Sequence, residues 1–123
     1  MNGGGVAMEN RDGVTVGRLT GDVDISRAEP VKVALLRAIT NQDYGLVVDL
    51  REVTYLDSAG VNVLFEVAER LEGRQQRLIA VVPDTALIQK VLDLVNATSV
   101  MQTTSTLDDA VAAVQSLAPA DES

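Results

Sequence analysis

The sequence of 123 residues contains no cysteine and no histidine, and only three of its side chains are aromatic. Without cysteine the chain has no disulfides, no thiolate nucleophile and no thiolate metal ligands. Without histidine it cannot build a Ser-His-Asp triad, and it lacks the usual proton-transfer group near neutral pH. Because aromatic residues are so few, the core must consist of Val, Leu, Ile and Ala. These absences argue against an enzyme, and we expect no cofactor and no metal.

The excess of negative charge limits the partners of the chain. Its formal net charge is −8, whereas nucleic acids and anionic membrane surfaces are bound by basic faces. No apolar run approaches the roughly 20 residues of a membrane span, and the first residues have neither the basic start nor the apolar stretch of a signal peptide. We therefore expect a cytoplasmic regulator that binds neither nucleic acid nor membrane. We expect it to be a monomer or a weak dimer.

The apolar pattern divides the chain into alternating strands and helices. Residues 1–5 are expected to be a flexible lead, 6–117 a single domain and 118–123 a polar tail. Helices are predicted from Ser26 and over about 59–71, 83–95 and 106–117. Strands are predicted at Val6–Glu9, Val14–Leu19, Leu46–Leu50, Leu78–Val82 and near Val100–Gln102. This alternation predicts an α/β fold with a mixed, mostly parallel sheet of four to five strands and about four helices.

Local signals predict where several elements turn, begin or end. Asp12-Gly13 suits a hairpin turn that needs positive φ, and the stretch 20–22 is expected to lead the chain off the sheet. Ser26-x-x-Glu29 is a capping-box pattern for the first helix. Gly73 is expected to end the second helix, and Thr106 is expected to cap the last one.

Helical spacing predicts which side chains face outward. In the first helix Lys32 is expected to point away from the apolar stripe formed by Ala28, Val31, Leu35 and Ile39. In the second helix the predicted outward face carries Asn62, Val63 and Glu66. Tyr55 and Phe65 are expected in the core.

The stretch from Val47 to Val61 carries the strongest functional signal. A continuous aliphatic strand is followed by a short loop, and the loop delivers Ser58 to the start of a helix. Asp57 precedes this serine and can cap the helix, so Ser58 need not be only a cap. Its hydroxyl is expected near solvent, where another protein can reach it. Nothing nearby equips Ser58 as a nucleophile, and the layout therefore predicts a modified serine.

Three segments together resemble the STAS domain, specifically the single-domain anti-sigma factor antagonists of bacteria. They are Leu19-Thr20-Gly21-Asp22-Val23-Asp24, Val48-Asp49-Leu50 with Asp57-Ser58-Ala59-Gly60-Val61, and Ala80-Val81-Val82-Pro83 before Val91-Leu92. The resemblance covers residues 6 to 117. It implies that an anti-sigma factor with serine kinase activity phosphorylates Ser58. The unphosphorylated chain would bind this kinase and release a sigma factor, and a serine phosphatase would restore it.

The same resemblance implies a partner-binding surface around Ser58. Asp24 matches a loop aspartate of the family, and the fold is expected to bring Asp22 and Asp24 close to the serine. The expected surface comprises Asp22, Asp24, Asp57, Ser58, Ala59, Gly60, Asn62, Val63 and Glu66. Asp49 lies within a strand, and we expect it to pair with local N–H groups.

Three other functions are conceivable for an acidic α/β domain of this length. A receiver domain needs a lysine late in the sheet, but Lys32 and Lys90 both fall on predicted helices. Metal-assisted hydrolysis would need a dense ligand cluster, which the sequence lacks. A STAS subunit of an ABC-type lipid-transport or stressosome-like complex remains an open alternative. Such a transport subunit should bind its ATPase whatever the state of Ser58.

Overall fold

The computed structural model describes residues 5–40, 43–82, 90, 92–93 and 101–117. The strands are β1 (Val6–Arg11), β2 (Val14–Val23), β3 (Gly45–Leu56), β4 (Arg77–Val81) and β5 (Gln102–Thr104). The helices with described bounds are α1 (Ile25–Ala38), α2 (Ser58–Glu72) and α3 (Leu107–Gln115). The predicted helix at 83–95 and the tail at 118–123 lie largely or wholly outside the described residues.

The five strands form one sheet in the order β1-β2-β3-β4-β5. β1 pairs with β2 antiparallel, and the other neighbours pair parallel. α1 and α2 pack on one face of the sheet, and α3 packs on the other. Because helices cover both faces, residues 45–50 of β3 are all buried, as expected of a central parallel strand. The predicted α/β fold with a mixed, mostly parallel sheet is confirmed.

The β1–β2 hairpin turns at the predicted dipeptide. Asp12 has φ 55° and Gly13 has φ 86°, the pair of positive values that a two-residue hairpin turn requires. The side chain of Asn10 accepts a hydrogen bond from Gly13 N at 3.0 Å. Gly5 also belongs to this part of the sheet, because its backbone exchanges hydrogen bonds with Thr20. Gly5, which was expected in the flexible lead, is therefore bonded to the sheet, and residues 1–4 lie outside the described part.

The structure corrects the predicted end of β2. The stretch 20–22 was expected to leave the sheet, but β2 continues beside β3 as far as Val23. Two register irregularities occur along this pairing, between Arg18 and Thr20 and between Gly21 and Asp22. Gly21 adopts φ 75°, which glycine reaches without steric cost. Glycine here accommodates an irregularity within the strand and does not end it.

The helix caps are partly as predicted. Thr106 caps α3, and its hydroxyl accepts a hydrogen bond from Asp109 N at 3.1 Å. Gly73 ends α2 as expected. α1, however, begins one residue earlier than its predicted cap, because Asp24 and not Ser26 is the cap. Aspartate and serine cap helices about equally well, so the capping-box pattern alone could not distinguish the two positions.

Candidate functional site

Two helices begin side by side at one edge of the sheet. β2 and β3 are parallel and end together, with Val23 paired to Leu56. The next residue in each case is an aspartate that caps a helix, Asp24 for α1 and Asp57 for α2. The Asp57 N–H donates to the carbonyl of Val23 at 3.4 Å, which ties the two strand ends together. We call this place, where β2 and β3 end, the carboxyl edge.

Ser58 is the first residue of α2, and it is exposed. The predicted short loop before it is a single residue, because β3 continues to Leu56 and Asp57 alone separates strand from helix. The Asp57 carboxylate accepts a hydrogen bond from Gly60 N at 3.0 Å. Since Asp57 does the capping, the Ser58 hydroxyl is not required for it. The prediction of a serine presented to solvent is confirmed.

The cap formed by Asp57 can be tested by its effect on stability. Asp57→Ala should lower the free energy of unfolding by about 1 kcal/mol, because it removes the acceptor for a backbone N–H in the first turn. Asp57→Asn keeps an acceptor oxygen and should retain most of that free energy. Chemical denaturation of both variants measures the difference. Equal losses for alanine and asparagine would contradict the capping role.

Gly60 is buried against the end of β2. A Cβ at this position would lie 2.4 Å from the carbonyl oxygen of Val23 and 2.7 Å from Cδ1 of Leu56. Only glycine therefore lets the first turn of α2 sit this close to the sheet. Gly60 was predicted to contact a partner, but its burial leaves it a packing role. It supports the position of Ser58 from beneath.

The outward face of α2 is narrower than predicted. Asn62 and Glu66 are exposed, and Ala59 is half-buried. Val63 was expected on this face but is only 4% exposed and belongs to the core between the sheet, α1 and α2. The reason is that α2 contacts α1 as well as the sheet. The buried face of α2 is therefore wider than the stripe that packing on the sheet alone would bury. Val63 is thus not available as an outward contact.

Lys32 was predicted to point freely outward. Instead its side chain connects α1 to α2. Its ammonium group lies 3.0 Å from a carboxylate oxygen of Glu66 and 3.3 Å from one of Glu29. Hydrogen bonds to Glu66 and then Glu29 raise the pKa of Lys32 above its ordinary value. These groups border a cleft between the two helices that reaches Ala59 and Asn62. The exposed carboxylate of Glu66 is therefore already engaged within the chain.

Asp22 lies on the last part of β2, beside Tyr55 of β3. Its carboxylate accepts a hydrogen bond from the Thr54 hydroxyl at 3.0 Å, and its carbonyl accepts one from the Arg27 guanidinium. Asp22 thus stands at the carboxyl edge with the two capping residues, as the sequence predicted. We call Asp22, Asp24 and Asp57 the acidic rim.

Asp24 has a structural role that the sequence did not indicate. Its carboxylate accepts hydrogen bonds from Ser26 N at 3.1 Å and from the Ser26 hydroxyl at 2.7 Å. The Ser26 hydroxyl is the main cause that lowers the pKa of Asp24 below its ordinary value, and the Ser26 and Arg27 N–H groups act in the same direction. The carboxylate is therefore ionised at neutral pH. Asp24→Ala would remove a helix cap as well as a charge, so Asp24→Asn is the variant that isolates the charge.

Two exposed apolar side chains at the carboxyl edge were missed by the sequence reasoning. Tyr55 was expected in the core, but it is 52% exposed, and Ile25 is 79% exposed. The register irregularity at Asp22 shifts the alternation of side chains near the end of β3, so a strict period of two misplaces Tyr55. The predicted cap at Ser26 placed Ile25 before the helix. With Asp24 as the cap, Ile25 is the first residue of α1. Phe65 is half-buried and packs against the core.

Asp49 lies away from this site and pairs locally, as expected. It is 1% exposed, and its carboxylate accepts hydrogen bonds from the Arg51 backbone and guanidinium. The ion pair raises the pKa of Arg51. Across the described ranges, no group of three potential ligands is placed to hold a metal ion. No helix in the same ranges combines the length and apolar character that a membrane crossing demands.

Two known proteins that are similar to this chain are named as anti-sigma factor antagonists. The anti-sigma-F factor antagonist RsfB of Mycobacterium tuberculosis H37Rv is 26% identical over 110 residues, which are 89% of this chain and 88% of that protein. An anti-sigma factor antagonist from Mycobacterium paratuberculosis is 27% identical with a TM-score of 0.76, covering 91% of this chain and 94% of the other.

A second similar structure is the phosphorylated form of the Bacillus cell fate determinant SpoIIAA. Its TM-score is 0.65 at 19% identity, covering 89% of this chain and 99% of the other, and it supports the fold alone. The family model for the STAS domain matches residues 5–110. That match takes in the β1–β2 hairpin, the acidic rim and Ser58. The chain belongs to the STAS domain family.

Proposed function

We propose that this protein is an anti-sigma factor antagonist that binds an anti-sigma factor and thereby releases a sigma factor. The observation that carries the proposal is the exposed Ser58 at the first turn of α2, freed from capping by Asp57. The likeness to RsfB, an anti-sigma-F factor antagonist, supports it. No catalysis by the chain itself is part of the proposed function.

The proposed binding surface is the exposed part of the carboxyl edge and the start of α2. It contains the acidic rim, Ser58, Ala59, Asn62 and Glu66. Gly60 and Val63 hold this surface in place from inside the protein. Three carboxylates in one place favour a partner whose facing surface carries lysine or arginine.

We further propose that the partner is a serine kinase and that phosphorylation of Ser58 ends the interaction. A phosphate at the first turn of a helix meets unpaired N–H groups and the positive end of the helix dipole, so the fold tolerates it. The modification adds about −1.5 to −2 charges beside three carboxylates. A partner surface fitted to a neutral hydroxyl would meet a bulky anion. A serine phosphatase would then restore the binding form.

Phosphoryl transfer tests this proposal. Incubation with ATP and the purified anti-sigma factor of the host should add one phosphoryl group to the chain, located at Ser58 by fragment mass spectrometry. Ser58→Ala should abolish the modification. Ser105→Ala is the matched control, since Ser105 is also exposed and directly precedes the cap of α3. Modification that persists in Ser58→Ala would overturn the assignment of the acceptor.

A further inference from the structure

The carboxyl edge carries two large apolar side chains that nothing in the described chain covers well. Ile25 is 79% exposed and Tyr55 is 52% exposed. Ile25 directly follows the cap of α1, and Tyr55 lies two residues before the cap of α2. Both therefore stand where the two helices begin, beside Ser58. Isolated surface apolar residues need no explanation, but two of them next to a proposed binding serine call for one.

The same chain offers an internal comparison at the other end of the sheet. Tyr44 is 45% exposed and directly precedes β3, whereas Tyr55 is the penultimate residue of that strand. At about 3.3 Å per residue along the strand, the Cα atoms of the two tyrosines lie roughly 35 Å apart. Tyr44 thus has the same chemistry and a similar exposure at a place far from Ser58.

The charges around the apolar pair indicate what kind of surface covers it. Asp22, Asp24 and Asp57 border it, and Arg27 is already bonded to the Asp22 carbonyl. A second copy of this chain would bring an identical acidic rim against the first across a two-fold axis, which like charges oppose. A membrane or a nucleic acid would be repelled for the same reason. A protein surface with an apolar pocket bordered by basic side chains fits both features.

We propose that Ile25 and Tyr55 are the apolar anchors by which this protein binds its anti-sigma factor. This inference rests on the proposed function and adds the source of the affinity. Buried aromatic and large aliphatic side chains at the centre of an interface carry most of the binding free energy, and charged rims mainly set association rate and salt dependence. Ile25 and Tyr55 hold the partner, while the state of Ser58 decides whether it is held.

Matched substitutions test the anchors. Tyr55→Thr keeps a residue suited to a strand, and Ile25→Ser keeps one suited to a helix start. Calorimetry with the purified anti-sigma factor should give affinities about tenfold or more below that of the wild-type chain for each. Tyr44→Thr should stay within about twofold, as for a surface change outside the interface. Thermal unfolding followed by circular dichroism checks that every variant is folded.

Two further readouts separate an anchor from a charge or from a general disturbance. Asp24→Asn should flatten the dependence of the association rate on salt, whereas Tyr55→Thr should leave that dependence unchanged and speed dissociation. As a substrate of the kinase, Tyr55→Thr should show a raised KM with kcat unchanged, because the anchor contributes equally to the ground and transition states.

Three results would overturn the inference. If Ile25 and Tyr55 are anchors, Tyr55→Thr and Ile25→Ser must bind more weakly than Tyr44→Thr, so equal affinities would exclude that role. Loss of kcat without a change in KM would place Tyr55 in the transfer step. A wild-type dimer that Tyr55→Thr dissociates in sedimentation velocity would assign the surface to a second copy. The Ser58→Ala and Ser58→Glu variants are measured separately, so the proposed switch stands or fails independently of the anchors.

Discussion

Ser58→Glu is expected to bind the anti-sigma factor at least about tenfold more weakly than Ser58→Ala. Glutamate places a negative charge and a larger side chain at the first turn of α2, within the acidic rim. A partner surface that accepts a neutral hydroxyl or a methyl group must then enclose an unpaired carboxylate. Loss of one buried contact of this kind costs about 2–5 kcal/mol. Ser58→Ala should bind like the wild-type chain and become insensitive to ATP.

Unfolding would not explain such a loss of binding. A carboxylate in the first turn of a helix interacts favourably with the helix dipole, so Ser58→Glu should unfold at the same denaturant concentration as the wild-type chain or at a higher one. Ser105→Glu is the matched control, because it adds the same charge at an exposed serine beside the start of α3. It should bind the partner normally.

Calorimetry of the two Ser58 variants decides between the proposed functions. Equal affinities for Ser58→Ala and Ser58→Glu would refute the switch. If both variants also bound a transporter ATPase equally well, the alternative of a transport-complex subunit would be favoured. A tenfold or larger difference with only the anti-sigma factor would support the antagonist.

The sequence predicted those features that depend on short-range rules. Asp12-Gly13 forms the hairpin turn because few other dipeptides adopt two positive φ values easily. Thr106 caps α3 because its hydroxyl reaches the third N–H of the helix. Asp57 was proposed as the cap of α2 by the same rule, and this left Ser58 free for another role. The aliphatic run at Leu46–Leu50 predicted a strand buried on both faces.

Features that depend on tertiary contacts were not predictable in the same way. Register irregularities interrupt the pairing of β2 with β3 before the carboxyl edge, and Tyr55 beyond them is exposed. The packing of α1 against α2 buries Val63 and brings Lys32 to Glu66. Helical and strand periodicities describe one element at a time, so neither contains the information about which neighbour covers a given side chain. The apolar part of the proposed binding surface therefore emerged only from the fold.

Gly60→Ala is expected to lower the free energy of unfolding by about 3 kcal/mol. The added methyl group would lie 2.4 Å from the Val23 carbonyl oxygen, and a backbone atom in a paired strand cannot move aside as a flexible side chain can. Gly73→Ala, at the other end of α2, is the control. Its Cβ would lie 3.6 Å from the nearest atoms, and φ is −63°.

Gly73→Ala should therefore be neutral or stabilise the protein by up to about 1 kcal/mol. Chemical denaturation of the two variants measures both effects. Similar free energies of unfolding for them would contradict the close approach of α2 to the end of β2.

If Gly60→Ala remains folded, the only way to relieve the contact is to displace the first turn of α2, and Ser58 moves with it. The affinity of Gly60→Ala for the anti-sigma factor should then fall more than its lower stability alone explains. The reason is that the Ser58 hydroxyl no longer keeps its position relative to the acidic rim and Tyr55.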